Sequence, residues 1–389
     1  MNFVFISPHF PTNFYHFCQR LNRIGVKVLG LSDEPYAHLR QELKNVLTEY
    51  YQVHDMHNQE ELIRALGYFT HRHGKIDRID SLNEYWLETE ALLRTDFNIF
   101  GIKADEIKKF KSKSLMKEYY IKAGVPVARG KIVSKLKEAQ EWIHETGYPV
   151  VAKPDIGVGA AKTYKIHNKK ELLSFFNTKP DVPYIMEEFI QGKIFTFDGL
   201  TDRNGKAVFY TSHTYSQGIM EIVNNGADVY YYSLRKIPED LEDAGKKVLK
   251  AFCVKERFFH FEFFRSSKTK KIVALEVNIR PPGGFTTDMF NYANDLDIYS
   301  EWANIMVYDR FTAKYNRPYH CCYISRKFNR MYLHSHHDIL NKFEKQLCHH
   351  EAISGIFSAA LGDYGYIVRS KNLSEIISIA EYIHQKSQA

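Results

Sequence analysis

Strand-like and helical segments alternate through roughly the first hundred residues, and this alternation restricts the possible folds more than any other feature. Asn2–Ser7 is predicted to be an apolar strand, and apolar residues then recur at helical spacing from Phe14 to Ile24. Three further strands and two further helices are predicted: strands at Val26–Leu31, Tyr50–Val53 and Ile76–Leu82, and helices at Leu62–Tyr68 and about Tyr85–Arg94. Such alternation with short links predicts a parallel, doubly wound sheet.

The turn after the first strand argues against dinucleotide binding, which is one common function of such a unit. Ser7–Thr12 reads SPHFPT and contains no glycine. A dinucleotide-binding turn needs glycines so that the pyrophosphate can approach the backbone at the start of the next helix. An NAD-dependent dehydrogenase is therefore disfavoured.

Beyond Tyr148 the pattern changes to hairpins. The preceding segment Lys103–Lys122 is rich in lysine and is predicted to be helical, ending before the glycine and proline that follow. The tetrapeptide Asp202–Gly205 reads DRNG, a strong hairpin turn between strands at Phe195–Leu200 and Ala207–Thr211. The predicted fold class is therefore an α/β front followed by an α+β remainder.

Composition limits the function classes. The 389 residues predict two or three domains, with 44% apolar and 25% charged residues as in ordinary folded proteins. A net charge of +7 suits anionic small molecules but is too diffuse for a nucleic-acid surface. Five cysteines without a regular framework indicate free thiols, and neither a signal peptide nor an 18-residue apolar run is evident. We expect a cytoplasmic protein that binds neither nucleic acid nor membrane.

The most informative stretch is a pair of predicted strands, Arg257–Phe264 and Ile272–Ile279. Side chains alternate between the two faces of a strand. The face predicted to lie in the core carries Phe259, Phe261, Phe263, Val273, Leu275, Val277 and Ile279. The opposite face is predicted to carry His260, Glu262, Ala274, Glu276, Asn278 and Arg280.

Two carboxylates, one amide oxygen and one guanidinium group thus converge on one side of a hairpin. Oxygen ligands of this kind suit Mg²⁺, which is commonly held by one or two carboxylates together with substrate phosphates. The ordinary alternative is a solvent-facing sheet whose charges pair with each other. The second strand continues into Pro281–Gly284, a rigid PPGG turn, and this favours a metal–phosphate site.

A second candidate phosphate contact follows an earlier strand. The apolar segment Val150–Lys153 passes into a small-residue loop that contains Gly157, Gly159 and Ala160. Lys153 supplies a point charge, and glycines let backbone N–H groups approach phosphate oxygens. The loop lacks the G-K-[ST] of a Walker A motif, and a hairpin turn that binds nothing is the alternative. An acidic strand, Tyr184–Gly192, comes next.

The order of these features resembles the ATP-grasp superfamily, which includes D-alanine–D-alanine ligase, biotin carboxylase and carbamoyl-phosphate synthetase. The order is a lysine, a glycine loop, an acidic strand and then Glu262 with the pair Glu276-x-Asn278. The spacing from Lys113 to the AGVP segment ending at Pro126 is also similar. The resemblance implies an ATP-grasp fold behind an N-terminal Rossmann-like pre-ATP-grasp domain. Its implied domains are 1–105, a small lid subdomain with a linker helix at 106–190, and a large subdomain with a C-terminal lobe at 191–389.

The resemblance also implies roles for individual residues. Lys113 and Lys153 would contact the α- and β-phosphates of ATP, and the loop from Gly157 through Gly159 and Ala160 would cover them. The adenine would lie against Glu187, Glu188 and Ile190. Magnesium, with manganese as the alternative ion, would be held by Glu262, Glu276 and Asn278. Arg280 would steady the transferred phosphoryl group, so that Arg280 and Lys153 are the implied catalytic residues.

The chain departs from the family pattern in one place that bears on the nucleotide. Many relatives carry a further glutamate after the position of Gly192, where this chain has Lys193–Phe195. The contact to the ribose is therefore left open. The chain also has no evident biotin-carrier segment and no second copy of the ATP-grasp pattern.

The activity implied by the resemblance is an ATP-dependent ligase. It would join a small carboxylate to an amine through an acyl phosphate and release ADP and phosphate. Two alternatives stay open: an ATP-grasp kinase that phosphorylates a hydroxyl, and a nucleotide-binding regulatory module without turnover. Many relatives are dimers, so the resemblance also suggests a homodimer.

Other polar stretches are weaker candidates. The spacing of His334–His337 and Cys348–His350 matches neither the C-x₂-C pairs of structural zinc sites nor the helix of a zinc protease. Surface histidines are therefore the favoured interpretation. Candidate segments for the acceptor pocket are Ser7–Thr12, Asn83–Glu84, His213–Ser216 with Glu221, and Phe285–Thr287.

Overall fold

The computed structural model describes residues 1–157, 162–216, 226–353, 355 and 358–387. Its N-terminal strands are β1 (Asn2–Ile6), β2 (Lys27–Ser32), β3 (Glu49–Gln52) and β4 (Arg78–Asp80). Helices α1 (Tyr15–Arg23), α2 (Gln41–Lys44), α3 (Gln59–His73) and α4 (Leu87–Asp96) accompany them. The strands pair in parallel in the order β3-β2-β1-β4, which confirms the predicted parallel unit.

A small antiparallel sheet follows a linker helix, α5 (Lys113–Lys122). Its strands are β5 (Gly130–Val133), β6 (Val150–Pro154), β7 (Tyr164–Ile166) and β8 (Tyr184–Glu188). They pair in the order β5-β8-β6-β7. Helices α6 (Leu136–Thr146) and α7 (Lys169–Thr178) cover one face, and α7 begins at the predicted cap Asn168, whose side chain accepts a hydrogen bond from Glu171 N.

A large sheet forms the rest of the fold. Its strands are β9 (Gly192–Thr201), β10 (Ala207–Thr211), β11 (His213–Tyr215), β12 (Tyr230–Ser233), β13 (Phe258–Ser266), β14 (Ile272–Asn278), β15 (His320–Arg326), β16 (Leu347–Ala352) and β17 (Tyr364–Ser370). Within the described residues they pair in the order β14-β13-β9-β11-β12-β15-β17-β16, with β10 beside β9. The β9–β10 hairpin turns at the predicted DRNG segment, where Gly205 has φ +82°.

Six further helices accompany this sheet in the part of the chain that is described. They are α8 (Glu239–Phe252), α9 (Thr286–Asn294), α10 (Ile298–Tyr308), α11 (His336–Lys342), α12 (Ser358–Leu361) and α13 (Leu373–His384). Helices α5 and α8 bury one face of β13 and β14, whereas α9 covers β12, β15 and β17. The opposite face of β13 and β14 is thereby left for polar side chains. None of the described helices is long and apolar enough to cross a membrane.

The predicted single helix over Lys103–Lys122 is wrong. A short 3₁₀ segment, Ile107–Phe110, precedes α5, and the chain turns between them at Lys111. The physical reason is a helix cap, because the Ser112 side chain accepts a hydrogen bond from Leu115 N and starts a new helix there.

The predicted alternation along β14 is also wrong in part. Glu262 pairs with Glu276, but the next residue of β13, Phe263, pairs with Ala274, so Leu275 forms a β-bulge. An extra residue reverses the alternation beyond it. The core face of β14 and its continuation therefore carries Ile272, Ala274, Val277 and Ile279 rather than Val273 and Leu275. The predicted inward face of β13, with Phe259, Phe261 and Phe263, is confirmed.

Candidate functional site

The three predicted metal ligands, Glu262, Glu276 and Asn278, lie together on the open face of the β13–β14 pair, which is the candidate metal-ligand face. Glu262 lies directly opposite Glu276, and His260 lies directly opposite Asn278. Directly opposed residues of antiparallel strands share a face, with Cβ atoms about 5 Å apart. Two carboxylates and an amide oxygen form a donor set that fits a hard divalent cation such as Mg²⁺.

Lys113 joins this group from the linker helix. Its Nζ lies 3.4 Å from Glu276 Oε1 and donates to the carbonyl oxygen of Gly157 at 3.2 Å. Asp155 fixes the start of α5, since its carboxylate accepts from Ser112 Oγ and Ser114 N, both at 2.7 Å. The residues after β6 therefore hold Lys113 between the small sheet and the metal-ligand face.

Lys153 is part of a buried ion triad. Its Nζ lies 2.6 Å from Glu187 Oε2, and Lys117 binds the other oxygen of the same carboxylate. Burial alone would raise the pKa of Glu187, but the two lysines hold it below its ordinary value. Two lysines on one carboxylate leave a net positive charge at this point. Lys117 was not among the predicted site residues, although it lies one helical turn after Lys113 and so on the same side of α5.

The predicted adenine segment lies where the small and large sheets join. β8 ends at Glu188, and β9 begins at Gly192. The Glu188 carboxylate accepts from the backbone N and the Nε of Arg129, at 2.8 and 3.1 Å. Ile190 lies in the connection between the sheets and is half-buried. Glu187, Glu188 and Ile190 therefore lie at or beside the junction of the two sheets, and their contact with adenine stays a prediction.

The loop predicted to cover the phosphates is described only in part. Gly157 is described and contacts Lys113 through its carbonyl oxygen, whereas Gly159 and Ala160 lie outside the described residues.

Arg280 is anchored by the N-terminal unit. Its Nε lies 3.7 Å from Glu84 Oε2, and one of its terminal nitrogens donates to Pro281 O at 2.8 Å. Glu84 is buried and also binds Lys111 Nζ at 3.2 Å. Burial raises the pKa of Glu84, against the effect of Lys111 and Arg280. Glu84 therefore links the N-terminal unit to the metal-ligand face, a contact that the sequence analysis did not predict.

A buried row of polar side chains, His213, Asp198 and His260, continues from Glu262 across the large sheet. The His213 Nδ1–Asp198 Oδ2 distance is 2.8 Å, and the Asp198 Oδ1–His260 Nδ1 distance is 2.6 Å. His260 Nε2 lies 3.2 Å from Glu262 Oε1. His260 lies on the predicted face, whereas Asp198 was not predicted, because nothing in the local sequence indicates which residue of β9 lies beside His260.

The charges of this row alter its titration. Burial alone would lower the pKa of His260, but Asp198 and Glu262 raise it to about 9. Burial alone would raise the pKa of Asp198, but His260 and His213 lower it to about 2.

The raised pKa of His260 predicts that the protein loses stability at alkaline pH. A histidine whose folded pKa lies above its ordinary value of 6.5 contributes stability that is complete below pH 6.5 and is lost as the pH rises through about 9. The expected contribution is on the order of 3 kcal/mol. Urea unfolding in metal-free buffer across this range measures it. A His260→Asn variant should lack this component, and equal pH slopes in both proteins would contradict the assignment.

The acceptor-pocket candidates are only partly brought together. His213 belongs to the buried row, and Tyr215 stacks on Tyr231 with ring centroids 5.0 Å apart. The Tyr231 hydroxyl lies 2.8 Å from Thr286 Oγ1 at the start of α9. Ser7–Thr12 follows β1 in the N-terminal sheet, and Glu221 lies outside the described residues. Which of these line an acceptor pocket stays a prediction.

The histidine-rich segments form no metal centre in the described part of the chain, where no cluster of three or more His, Cys, Asp or Glu residues suits an ion. His336 pairs with the hydroxyl of Tyr366 and His350 with that of Tyr364.

Comparison with known proteins supports the fold and part of the family assignment. A sequence model described as "ATP-grasp domain" matches residues 146–288. The chain is 27% identical over 196 residues to the carbamoyl phosphate synthase large chain of Thermotoga sp. (strain RQ2), covering 47% of this chain and 17% of that one. It is 25% identical over 244 residues to the L-arginine-specific L-amino acid ligase of Bacillus subtilis, covering 60% and 59%. The chain thus spans less than two thirds of the length of these curated relatives.

Solved structures agree over nearly the whole chain. The L-amino acid ligase from Bacillus licheniformis superposes with a TM-score of 0.75 at 12% identity, covering 98% of this chain and 96% of that one. N5-carboxyaminoimidazole synthetase from Staphylococcus aureus gives 0.73 at 14% identity, covering 98% and 97%. Residues 146–288 therefore match an ATP-grasp domain, the whole chain shares the fold of these solved ligases, and the resemblance inferred from its motifs is confirmed.

Proposed function

We propose that this protein is an ATP-dependent carboxylate–amine ligase that forms an acyl phosphate and releases ADP and phosphate. The observation that carries the proposal is the cross-strand set of Glu262, Glu276 and Asn278 beside Lys113. The names of the relatives agree, since an L-arginine-specific L-amino acid ligase and N5-carboxyaminoimidazole synthetase are among them.

The positive charges around the metal-ligand face suit phosphoryl transfer. Such transfer depends chiefly on positioning and on offsetting the charge of the transferring group. We propose that the Lys117–Glu187–Lys153 triad directs its net positive charge toward the α- and β-phosphates, together with Lys113. Arg280, held by Glu84, would contact the transferred group. Mg²⁺ bound by the two glutamates and Asn278 would supply further neutralisation of phosphate charge.

A carboxylate needs this activation because its negative charge repels an amine and its oxide is a poor leaving group. Phosphorylation replaces the oxide with phosphate, and attack by a neutral amine then forms the C–N bond. Desolvation in a closed cleft favours the neutral form of the amine. The loop through Gly157, Gly159 and Ala160 is proposed to cover the phosphates, and Glu187, Glu188 and Ile190 to receive adenine.

Mn²⁺ is proposed as an alternative ion, because it accepts the same oxygen ligands. A homodimer is proposed because one related structure, a biotin carboxylase domain with MgADP and bicarbonate, is described as a dimer. The domain bounds 1–105, 106–190 and 191–389 and a cytoplasmic location stay proposals.

A product-release assay tests the ligase. We expect purified protein with MgATP to release ADP and phosphate together only when a carboxylic acid and an amine are both present. Pools of amino acids and small carboxylic acids serve as substrates, and omission of either pool is the control. ADP without free phosphate would instead identify a kinase. MgATP binding without any release across the pools would favour a regulatory module, and failure to bind MgATP would contradict the proposal itself.

A further inference from the structure

The buried row His213–Asp198–His260 crosses three neighbouring strands of the large sheet and ends at Glu262. Asp198 is 0%, His213 1% and His260 5% exposed. Register places Asp198 directly opposite His260, and Thr196 directly opposite Glu262. The row therefore lies on the same face as the proposed metal ligands, not on the face packed by α5 and α8.

The partners define which atoms donate in the row. An ionised carboxylate only accepts hydrogen bonds, so the Nδ1–H groups of His213 and His260 both donate to Asp198. The Glu262 carboxylate also accepts, so His260 Nε2–H must donate to it. His260 is thus held at both ring nitrogens. Asp198 in turn is fixed on three sides, because the Thr196 hydroxyl donates to it as well.

Fold stability alone is a poor explanation for this row. Burying charged groups costs several kcal/mol per ion, and apolar residues of similar volume are often as stable or more stable. Directly opposed apolar side chains would pair these strands equally well. A buried polar row that ends at a proposed ligand instead resembles the outer hydrogen-bond partners that orient metal ligands.

We propose that Asp198 and His260 are positioning residues that hold the Glu262 carboxylate in one orientation for a divalent cation. The inference rests on the proposed function, which identifies Glu262 as a ligand. His260 Nε2–H donates to Glu262 Oε1, and in the described part of the chain no hydrogen bond is seen at Glu262 Oε2. Without His260 the carboxylate would sample several rotamers, and only some of them would present Oε2 to the cation.

Metal binding in a nucleotide complex tests this role without turnover. The probe is Mn²⁺, followed by electron paramagnetic resonance with a non-hydrolysable ATP analogue bound. Loss of an outer partner commonly weakens metal affinity about 10–100-fold, and we expect this for His260→Asn. Asp198→Asn, which leaves the imidazole in place, should act in the same direction by a smaller factor. The Mg²⁺ concentration for half-maximal turnover should rise similarly, while kcat at saturating Mg²⁺ falls less.

The matched control is His384→Asn. His384, at the end of α13, is half-buried, and its Nε2 lies 2.8 Å from the backbone oxygen of Ser325 on β15, a strand that β12 separates from the row. We expect its Mn²⁺ affinity to equal that of the wild type.

The outcomes separate this inference from the proposed function. Mn²⁺ affinity within twofold of the wild type in folded His260→Asn would overturn the positioning role and leave the ligase intact. Equal weakening of metal-free nucleotide binding would also overturn it, because a general disturbance of the cleft would explain both. If neither row variant folds, the row is a requirement of the fold and the positioning role is rejected. A wild type that binds no Mn²⁺–nucleotide would contradict the proposed function itself.

Discussion

Replacing Glu276 with Gln is expected to lower Mg²⁺-dependent turnover at least about a hundredfold while the protein stays folded. Glutamine keeps the size of the side chain and removes its charge. Glu276 lies opposite Glu262 and 3.4 Å from Lys113 Nζ, so its charge would act both on the proposed cation and on the lysine proposed to bind phosphate. Removing one preorganised electrostatic contact typically costs 10²–10³ in kcat, as a rough guide.

The measurement is the coupled release of ADP and phosphate across a range of Mg²⁺ concentrations. Far-ultraviolet circular dichroism and the melting temperature establish that the variant is folded. Glu381→Gln is the matched control, because it makes the same chemical change at an exposed position on α13 and should keep full activity. Full activity in Glu276→Gln would show that the metal assignment is wrong.

Those parts of the site that depend on local pattern could be predicted from the sequence. The face of β13 that carries Phe259, Phe261 and Phe263 follows from alternation alone. The DRNG turn and the Asn168 cap depend on the chemistry of a few adjacent residues. The parallel N-terminal sheet follows from the alternation of strands and helices.

Features that depend on register or on distant pairing could not be predicted. The bulge at Leu275 reverses the faces of the residues of β14 that precede it, and no residue type in that strand signals it. Asp198 meets His260 only because β9 pairs with β13 in one register, across 62 residues of chain. Lys117 and Glu187 are 70 positions apart, and only the packing of α5 against the small sheet brings them together. The site therefore contains more ion pairs than its motifs reveal.

A second buried ion cluster joins the N-terminal unit to the large sheet. Arg257, just before β13, lies 3.1 Å from Asp80 Oδ2 and 3.3 Å from Glu90 Oε2. Arg94 binds the same two carboxylates, at 3.4 and 2.8 Å. All four side chains are nearly or fully buried. Arg257 Nε also donates to the backbone oxygen of Ile279 at 2.9 Å, directly before Arg280.

Replacing Arg257 with Met is expected to lower the free energy of unfolding by about 3–5 kcal/mol. The loss arises because Asp80 and Glu90 would stay buried with one arginine between them. Burial and the nearby Asp80 charge already raise the pKa of Glu90, and removal of Arg257 should raise it further. Urea unfolding near neutral pH measures the effect. Arg265→Met, in the same β13 region, is the matched control.

Arg265 pairs with Asp240, which is about half exposed, at 2.7 Å, so its loss should cost less than about 1 kcal/mol. A similar small loss of stability for Arg257→Met would show that the buried cluster does not hold the two units together.

The Arg257→Met substitution is also expected to affect activity. Since Arg257 also fixes the backbone before Arg280, the variant should lose the proposed ligase activity under conditions where it remains folded, whereas Arg265→Met should keep it.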